Sequence, residues 1–262
     1  MCSVIIARQP GSNWPLLIGA NRDEMNNRPW LPPSRHWPDQ PEVIAGLDEL
    51  AGGSWMGLND FGLSACILNR YGTLGPQGDK RSRGELILET LDHAEASEAA
   101  KALSALNPEA YRPFNLIVAD WKDAFWLHND GQVIHLKPVP AGLSMITHSD
   151  LNQDHPKLNS YRPAFERSLP DIGTQEDLQL TDFRGWAELL GSTKAPADPD
   201  GSGPDDSDPE NALCFCRGNG FETLCSSILA LPSAELHLKG IKPLWLFAEG
   251  QPDKTEFQPV KL

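Results

Sequence analysis

Two apolar, β-prone runs open the chain, Ser3 to Ala7 and Trp14 to Ala20, separated by the turn-forming stretch Gln9-Pro10-Gly11-Ser12-Asn13. The pattern predicts a hairpin whose first strand starts at Cys2 and whose second ends at Asn21. Such a hairpin brings Cys2 and the polar run Asn21-Arg22-Asp23-Glu24 to one end of a sheet. Residues Arg28 to Pro41 hold five prolines together with Trp30, His36 and Trp37, which predicts an ordered loop or extended cover. Strands are expected at Ser54 to Leu58 and Leu63 to Leu68 around Asn59-Asp60-Phe61-Gly62, with Gly52-Gly53 allowing a sharp entry.

The period then changes. Ser82-Arg83-Gly84-Glu85 has capping-box spacing ahead of the apolar stripe Leu86, Ile87, Leu88 and Leu91, and Ala96 to Leu106 is helix-prone up to Asn107-Pro108. Strand character returns at Phe114 to Ala119, Ala124 to His128 and Gln132 to Leu136, the last two joined by Asn129-Asp130-Gly131. Helices are expected at Lys157 to Ser168 and Leu178 to Leu190. Strands follow at Ala212 to Cys216, Glu222 to Leu229, Glu235 to Lys239 and Leu244 to Phe247. Hairpins without regular βαβ alternation predict an α+β fold with two mostly antiparallel sheets and helices on their outer faces, rather than a doubly wound dinucleotide fold. The whole chain, 1–262, reads as a single domain with a mobile acidic loop around 191–211, where Pro, Gly and Asp dominate.

Composition narrows the function classes. Of 262 residues, 36 are acidic and 22 basic, a net charge of -14 that repels a phosphate backbone, so nucleic acid is not an expected partner. Early apolar runs are broken by Arg8 and Arg22, which excludes a signal peptide or transmembrane segment from the reading. Five cysteines make an odd count without a disulfide framework, which predicts reduced thiols and a cytoplasmic location. Cys214-Phe215-Cys216 lacks redox or zinc spacing, and alternation places its two thiols on one face of a strand. The histidines show no metal-ligand spacing.

Candidate chemistry gathers at the N-terminus. Cys2 is small enough for Met1 to be removed, which leaves an α-amine and a thiol on one residue: a base and a nucleophile together. Arg22 can lower the thiol's pKa, and Asp23 can accept hydrogen bonds from the amine. The alternative reading makes Cys2 a small strand residue and Arg22, Asp23, Glu24 and Arg28 a salt-bridged network. Asn69, closing a predicted strand, can donate to an oxyanion or simply satisfy the strand end. His148 can assist proton transfer or serve as a surface histidine.

The combination of these motifs resembles the NRDE, or Transport and Golgi organisation 2, protein family. The residues that carry the resemblance are Met1-Cys2, Ala20 to Glu24, Arg28-Pro29, Ala45-Gly46, Gly52 to Gly57, Gly62 to Ala65, Asn69-Arg70, Ser82 to Gly84, Phe114 to Leu116, Asp120 and the Thr223 to Ser227 region. That family is in turn similar to N-terminal-nucleophile hydrolases of the conjugated-bile-salt and penicillin amidase group. The resemblance implies a four-layer αββα sandwich with Cys2 as nucleophile, Arg22 beside it, Asp23 orienting the amine and Asn69 in an oxyanion hole. Those hydrolases commonly carry an asparagine where Thr147-His148 stands here. The implied target is a non-peptide amide C–N bond in a small molecule, with no cofactor. Two other readings stand beside it, the first of them implied mainly by the family. One is non-enzymatic binding or trafficking of haem or another hydrophobic metabolite, with Trp14, Trp30, Trp37, Trp55 and Trp245 lining a pocket. The other is a degenerate hydrolase fold acting as a scaffold.

Overall fold

In the computed structural model, residues 2–196 and 208–262 are described. The strands and helices in chain order are β1 (Ser3–Arg8), β2 (Leu16–Met25), β3 (Trp30–Ser34), β4 (Val43–Asp48), β5 (Met56–Asn59), β6 (Ser64–Asn69), α1 (Glu85–Leu91) and α2 (Ala96–Ser104). There follow β7 (Phe114–Ala119), β8 (Ala124–Asn129), β9 (Ile134–Pro138), β10 (Gly142–Ile146), α3 (Pro156–Arg167), α4 (Arg184–Leu190), β11 (Phe221–Leu231), α5 (Ala234–Leu238), β12 (Leu244–Ala248) and β13 (Gln258–Pro259). They form two antiparallel sheets, an α+β arrangement, and the chain divides into two compact units. Among the described residues no helix is long and apolar enough to cross a membrane.

The first unit contains the described residues up to Asn27, Pro140–Thr147 and the described part of Leu151–Val260. Its sheet runs β10-β1-β2-β11-β12-β13. Ile5, Ala7, Leu17, Met145, Ile228 and Leu246 pack against Leu158, Tyr161 and Phe165 of α3 and Trp186 and Leu190 of α4. Val4, Ile6 and Ile18, which alternate with these, are equally buried, and this explains why β1 and β2 read as unbroken apolar runs instead of alternating ones. A Cβ at Gly19 would stand 3.2 Å from the Trp186 ring, so the bare backbone there seats the indole.

The second unit contains Arg28–Val139, His148–Asp150 and Lys261–Leu262, with a sheet ordered β3 through β9 in sequence. Nearest-neighbour hairpins build it, and its core joins Val43, Ala45, Ala65, Leu116, Val118 and Leu127 to Leu86, Ile87 and Leu91 of α1 and Ala96, Ala99, Ala100 and Leu103 of α2. Asp120 closes the start of α2. Its Oδ2 accepts from the Ala96 N–H at 2.8 Å, a task the adjacent Glu95 does not perform. Two glycine motifs meet here. The Ser54 N–H donates to the Gly84 carbonyl at 3.0 Å, and a Cβ on Gly53 would lie 2.4 Å from the Gly84 carbonyl carbon. Gly46 likewise leaves room for the Trp55 ring, 2.2 Å from its would-be Cβ.

Several sequence expectations are corrected. β2 runs on to Met25, so Asn21-Arg22-Asp23-Glu24 lies within a strand rather than beyond it. Pairing with β11 through Met25 holds it extended. Ser82 is not the cap of α1: Gly84 occupies that position, and Ser82 Oγ accepts from the Gly84 N–H at 3.2 Å within the turn before it. The strand expected at Glu235 to Lys239 is the short helix α5, capped by Ser233, whose Oγ accepts from the Leu236 N–H. Leu178 to Leu190 divides into a 3₁₀ turn, Leu180–Phe183, followed by α4. Residues 212–216 form no strand beyond a single bridge at Cys216, and Cys214 is buried while Cys216 is exposed. β4 and β10 were not anticipated. Most of the expected acidic loop, 197–207, lies outside the described residues.

Substituting Gly53 with alanine should cost roughly 1–3 kcal/mol, because the new methyl group meets backbone that cannot rotate away. Gly78→Ala, with open space around its Cβ, should change stability by less than about 0.5 kcal/mol. Urea unfolding of both variants checks this. Equal midpoints would contradict the close approach.

Candidate active site

The site in the first unit begins where β1 pairs with β2. Ser3 lies opposite Asn21, which sets Cys2 just outside the ladder and level with Arg22. The Asp23 N–H donates to Cys2 Sγ at 3.3 Å, and the thiol donates back to the Asp23 carbonyl at 3.5 Å. Cys2 is partly buried, whereas Arg22 and Asp23 are 6% and 3% exposed. On its other side β2 pairs with β11 through a register shift. Thr223 faces Asp23 and Cys225 faces Arg22, so Leu224 is an extra residue in the bulge. Bulges re-aim side chains, and this one turns Thr223 onto the site.

Alternation along β2 sorts the polar run. Asn21 and Asp23 share a face, Asn21 being held by the Leu190 and Leu213 carbonyls and by β11, and Asp23 by β11. Asn21 Nδ2 donates to the Leu190 and Leu213 carbonyls at 2.9 and 3.0 Å, while its Oδ1 accepts from Ser226 Oγ at 2.6 Å. Asn21 is therefore a buried structural tie. The Thr223 hydroxyl donates to Asp23 Oδ1 at 2.7 Å and accepts from the Phe215 N–H at 3.2 Å. Sequence reasoning quoted Thr223 only as part of a motif; its role depends on a pairing across 200 residues.

Sequence reasoning named Lys157 only as the start of a helix and gave it no role in the site. It lies in the first turn of α3 and is 3% exposed, with its ammonium 5.7 Å from the centre of the Phe215 ring. Burial drives its pKa down to about 8, opposed by the charges of Asp23, Cys2, Asp208 and Cys214. A lysine directly after His155-Pro156, at the helix end where the dipole disfavours a cation, was the available signal.

Electrostatics leave the Cys2 thiol protonated. Burial pushes it up to about 11, helped by the Asp23 charge and opposed by the Asp23 N–H and by Arg22. Cys66 rises to about 12 through burial alone, and Cys214 to about 12 through burial and its 3.3 Å hydrogen bond to Asp253. No group of three or more His, Cys, Asp or Glu side chains suited to a metal ion occurs among the described residues.

Asn69 and His148 belong to the second unit. Asn69 ends β6 and is half-buried, and among the described residues its side chain makes no hydrogen bond. Two residues on, the Tyr71 N–H donates to the His148 carbonyl at 3.1 Å, and the two rings lie 5.7 Å apart. Arg70 braces this segment: its Nη1 donates to Asn115 Oδ1 and its Nη2 to Asp150 Oδ1, both at 2.7 Å. Asn115 Nδ2 donates to the Ser149 carbonyl at 2.8 Å. Of the tryptophans, Trp14 and Trp245 are buried in the first unit. Trp30 and Trp55 meet edge to face in the second, and Trp37 Nε1 donates to the Gly52 carbonyl.

Comparison with known proteins places this geometry. Residues 1–233 match the family model described as Transport and Golgi organisation 2. The Transport and Golgi organization 2 homolog of Mus musculus is 33% identical over 108 residues, and the Transport and Golgi organization protein 2 homolog of Bos taurus 35% over 111. Each alignment takes in 40% of this chain and 38% of the relative, so it spans well under half the relatives' length. Among solved structures, the Caenorhabditis elegans N-acylethanolamine-hydrolyzing acid amidase ortholog aligns with 99% of this chain and 100% of its own, at TM-score 0.54 and 15% identity. At that identity the likeness is one of fold, which is N-terminal-nucleophile-hydrolase-like. By the match over residues 1–233, the chain belongs to the Transport and Golgi organisation 2 family.

Proposed function

We propose that this protein is an N-terminal cysteine hydrolase that acts on non-peptide amide C–N bonds in small molecules of the cytoplasm. The observation that carries the reading is the seat of Cys2, whose sulfur rests on the Asp23 backbone in a strand whose Arg22 and Asp23 side chains are both buried. Five free cysteines fit a reducing compartment. A solved protein of the same fold hydrolyses N-acylethanolamines, according to its own description.

The chemistry follows from the groups present. With Met1 removed, the Cys2 α-amine takes the thiol proton and the sulfur attacks the amide carbon, forming a tetrahedral oxyanion. The C–N bond breaks as the amine proton passes to the leaving nitrogen, which departs as a free amine. Water then cleaves the thioester and releases the acid. A thiol at about 11 is a poor nucleophile at neutral pH, so the neighbouring amine is what the mechanism requires. Asp23 orients that amine and Thr223 orients Asp23, which makes Thr223 a positioning residue.

Intact mass of protein from its native cell should lack Met1, and an acyl p-nitroanilide should give a burst of about one equivalent with the acyl group on Cys2. Cys2→Ala should abolish the burst. Retained Met1, or an unchanged burst in the variant, would overturn the reading.

Thr223→Val should lower unfolding stability by about 1.5–3 kcal/mol, since a buried carboxylate loses its hydroxyl donor. Thr223→Ser should restore most of it. Equal urea midpoints for the valine variant and the parent would show that the bond contributes nothing.

A further inference from the structure

Lys157 takes no part in the chemistry above, yet the fold keeps its charge inside. It extends from the first turn of a twelve-residue helix, where the dipole already disfavours a cation, and it is 3% exposed. Burial of this kind is costly and is met in proteins chiefly where the charge has a task. The surroundings identify the task. Lys157 lies over the Phe215 ring, the Phe215 N–H is bonded to Thr223 Oγ1, and Thr223 Oγ1 is bonded to Asp23 Oδ1. A chain of contacts through Phe215 and Thr223 thus links the ammonium to Asp23, the residue whose backbone seats the Cys2 sulfur.

We propose that Lys157 is a positioning residue of the Cys2 site, whose buried positive charge favours the deprotonated form of Cys2. This rests on the reading of Cys2 as the reacting residue. The titratable and charged groups that act on one another here are Cys2 ahead of β1, Arg22 and Asp23 from β2, Cys225 from β11, Asp208 and Cys214 from the chain before β11, and, next to Lys157, His155, which caps its helix. Arg22 and Lys157 are the cations and Asp23 is the carboxylate nearest the thiol. With Asp23 alone, the thiol and α-amine would both hold their protons more tightly. The second cation offsets that carboxylate, so while the lysine is charged a larger fraction of Cys2 is deprotonated. Lys157 itself deprotonates as pH rises through about 8, so its influence is present below that pH and fades above it.

The test is the pH profile of Cys2 alkylation by iodoacetamide, followed on the N-terminal peptide by mass, in the full chain and its Lys157→Met and Lys157→Arg variants. Lys157→Met should slow labelling at pH 7 about tenfold while leaving the half-maximal pH in place, because the thiol, at about 11, titrates where the parent lysine is already neutral. Its profile should join the parent's above pH about 9, where the parent lysine is neutral. Lys157→Arg should keep fast labelling and should not converge, because guanidinium stays charged. If the methionine variant misfolds, the arginine variant against the parent decides by the same divergence above pH 9. Superimposable profiles, or no labelling of Cys2 in any of the three proteins, would overturn the proposal. Alkylation is independent of amide turnover. A failed acyl burst with an intact Lys157 effect would therefore reject the hydrolase reading alone.

Discussion

Three consecutive polar side chains, Asn21, Arg22 and Asp23, are buried in β2, an interior strand with β1 on one side and β11 on the other. Each buried polar group without a partner costs about 1–3 kcal/mol, so this strand can exist only where the rest of the chain supplies partners. The chain before β11 does so through the Leu213 carbonyl, and β11 through Ser226 and Thr223. The bulge at Leu224 lets one strand serve both Arg22 and Asp23 without losing the ladder. The first unit is organised around meeting that requirement.

Satisfying the strand also builds a charged interior. Arg22 and Lys157 are cations, Asp23 is a carboxylate, and Cys2 is a thiol held well above its ordinary range. In such surroundings each protonation state depends on the others, and small changes of charge alter reactivity more than they would in water. Asn21 leads the same motif but has all its side-chain bonds internal, so the run combines a structural residue with charged ones.

The second unit shows how much of a family pattern serves architecture. Gly53 and Gly84 permit backbone contact, Gly46 admits an indole, Asp120 caps α2, and Arg28 pairs with Asp48 at 2.8 Å. Arg70 and Asn115 hold the 148–150 segment in place. Such residues serve the fold because only glycine fits the closest backbone contacts, and because the half-buried arginine fork of Arg70 suits few other acceptor sets.

Local chemistry already determined the hairpins, the apolar stripes of α1 and α2, the excess of acid and the nearness of Cys2 to Arg22-Asp23, since a short turn between two apolar runs leaves the ends few places to go. Propensity misjudged α5, where a Ser cap outweighed alternation, and residues 212–216, whose backbone bonds go to Ser192 and Thr223 instead of a ladder. Tertiary structure alone decided three things: that β2 extends through the whole polar run, that Thr223 takes the Asp23 carboxylate, and that Lys157 is interior. All three depend on contacts between residues far apart in the sequence, and no local pattern of polar and apolar residues records which distant strand or helix will arrive as the partner.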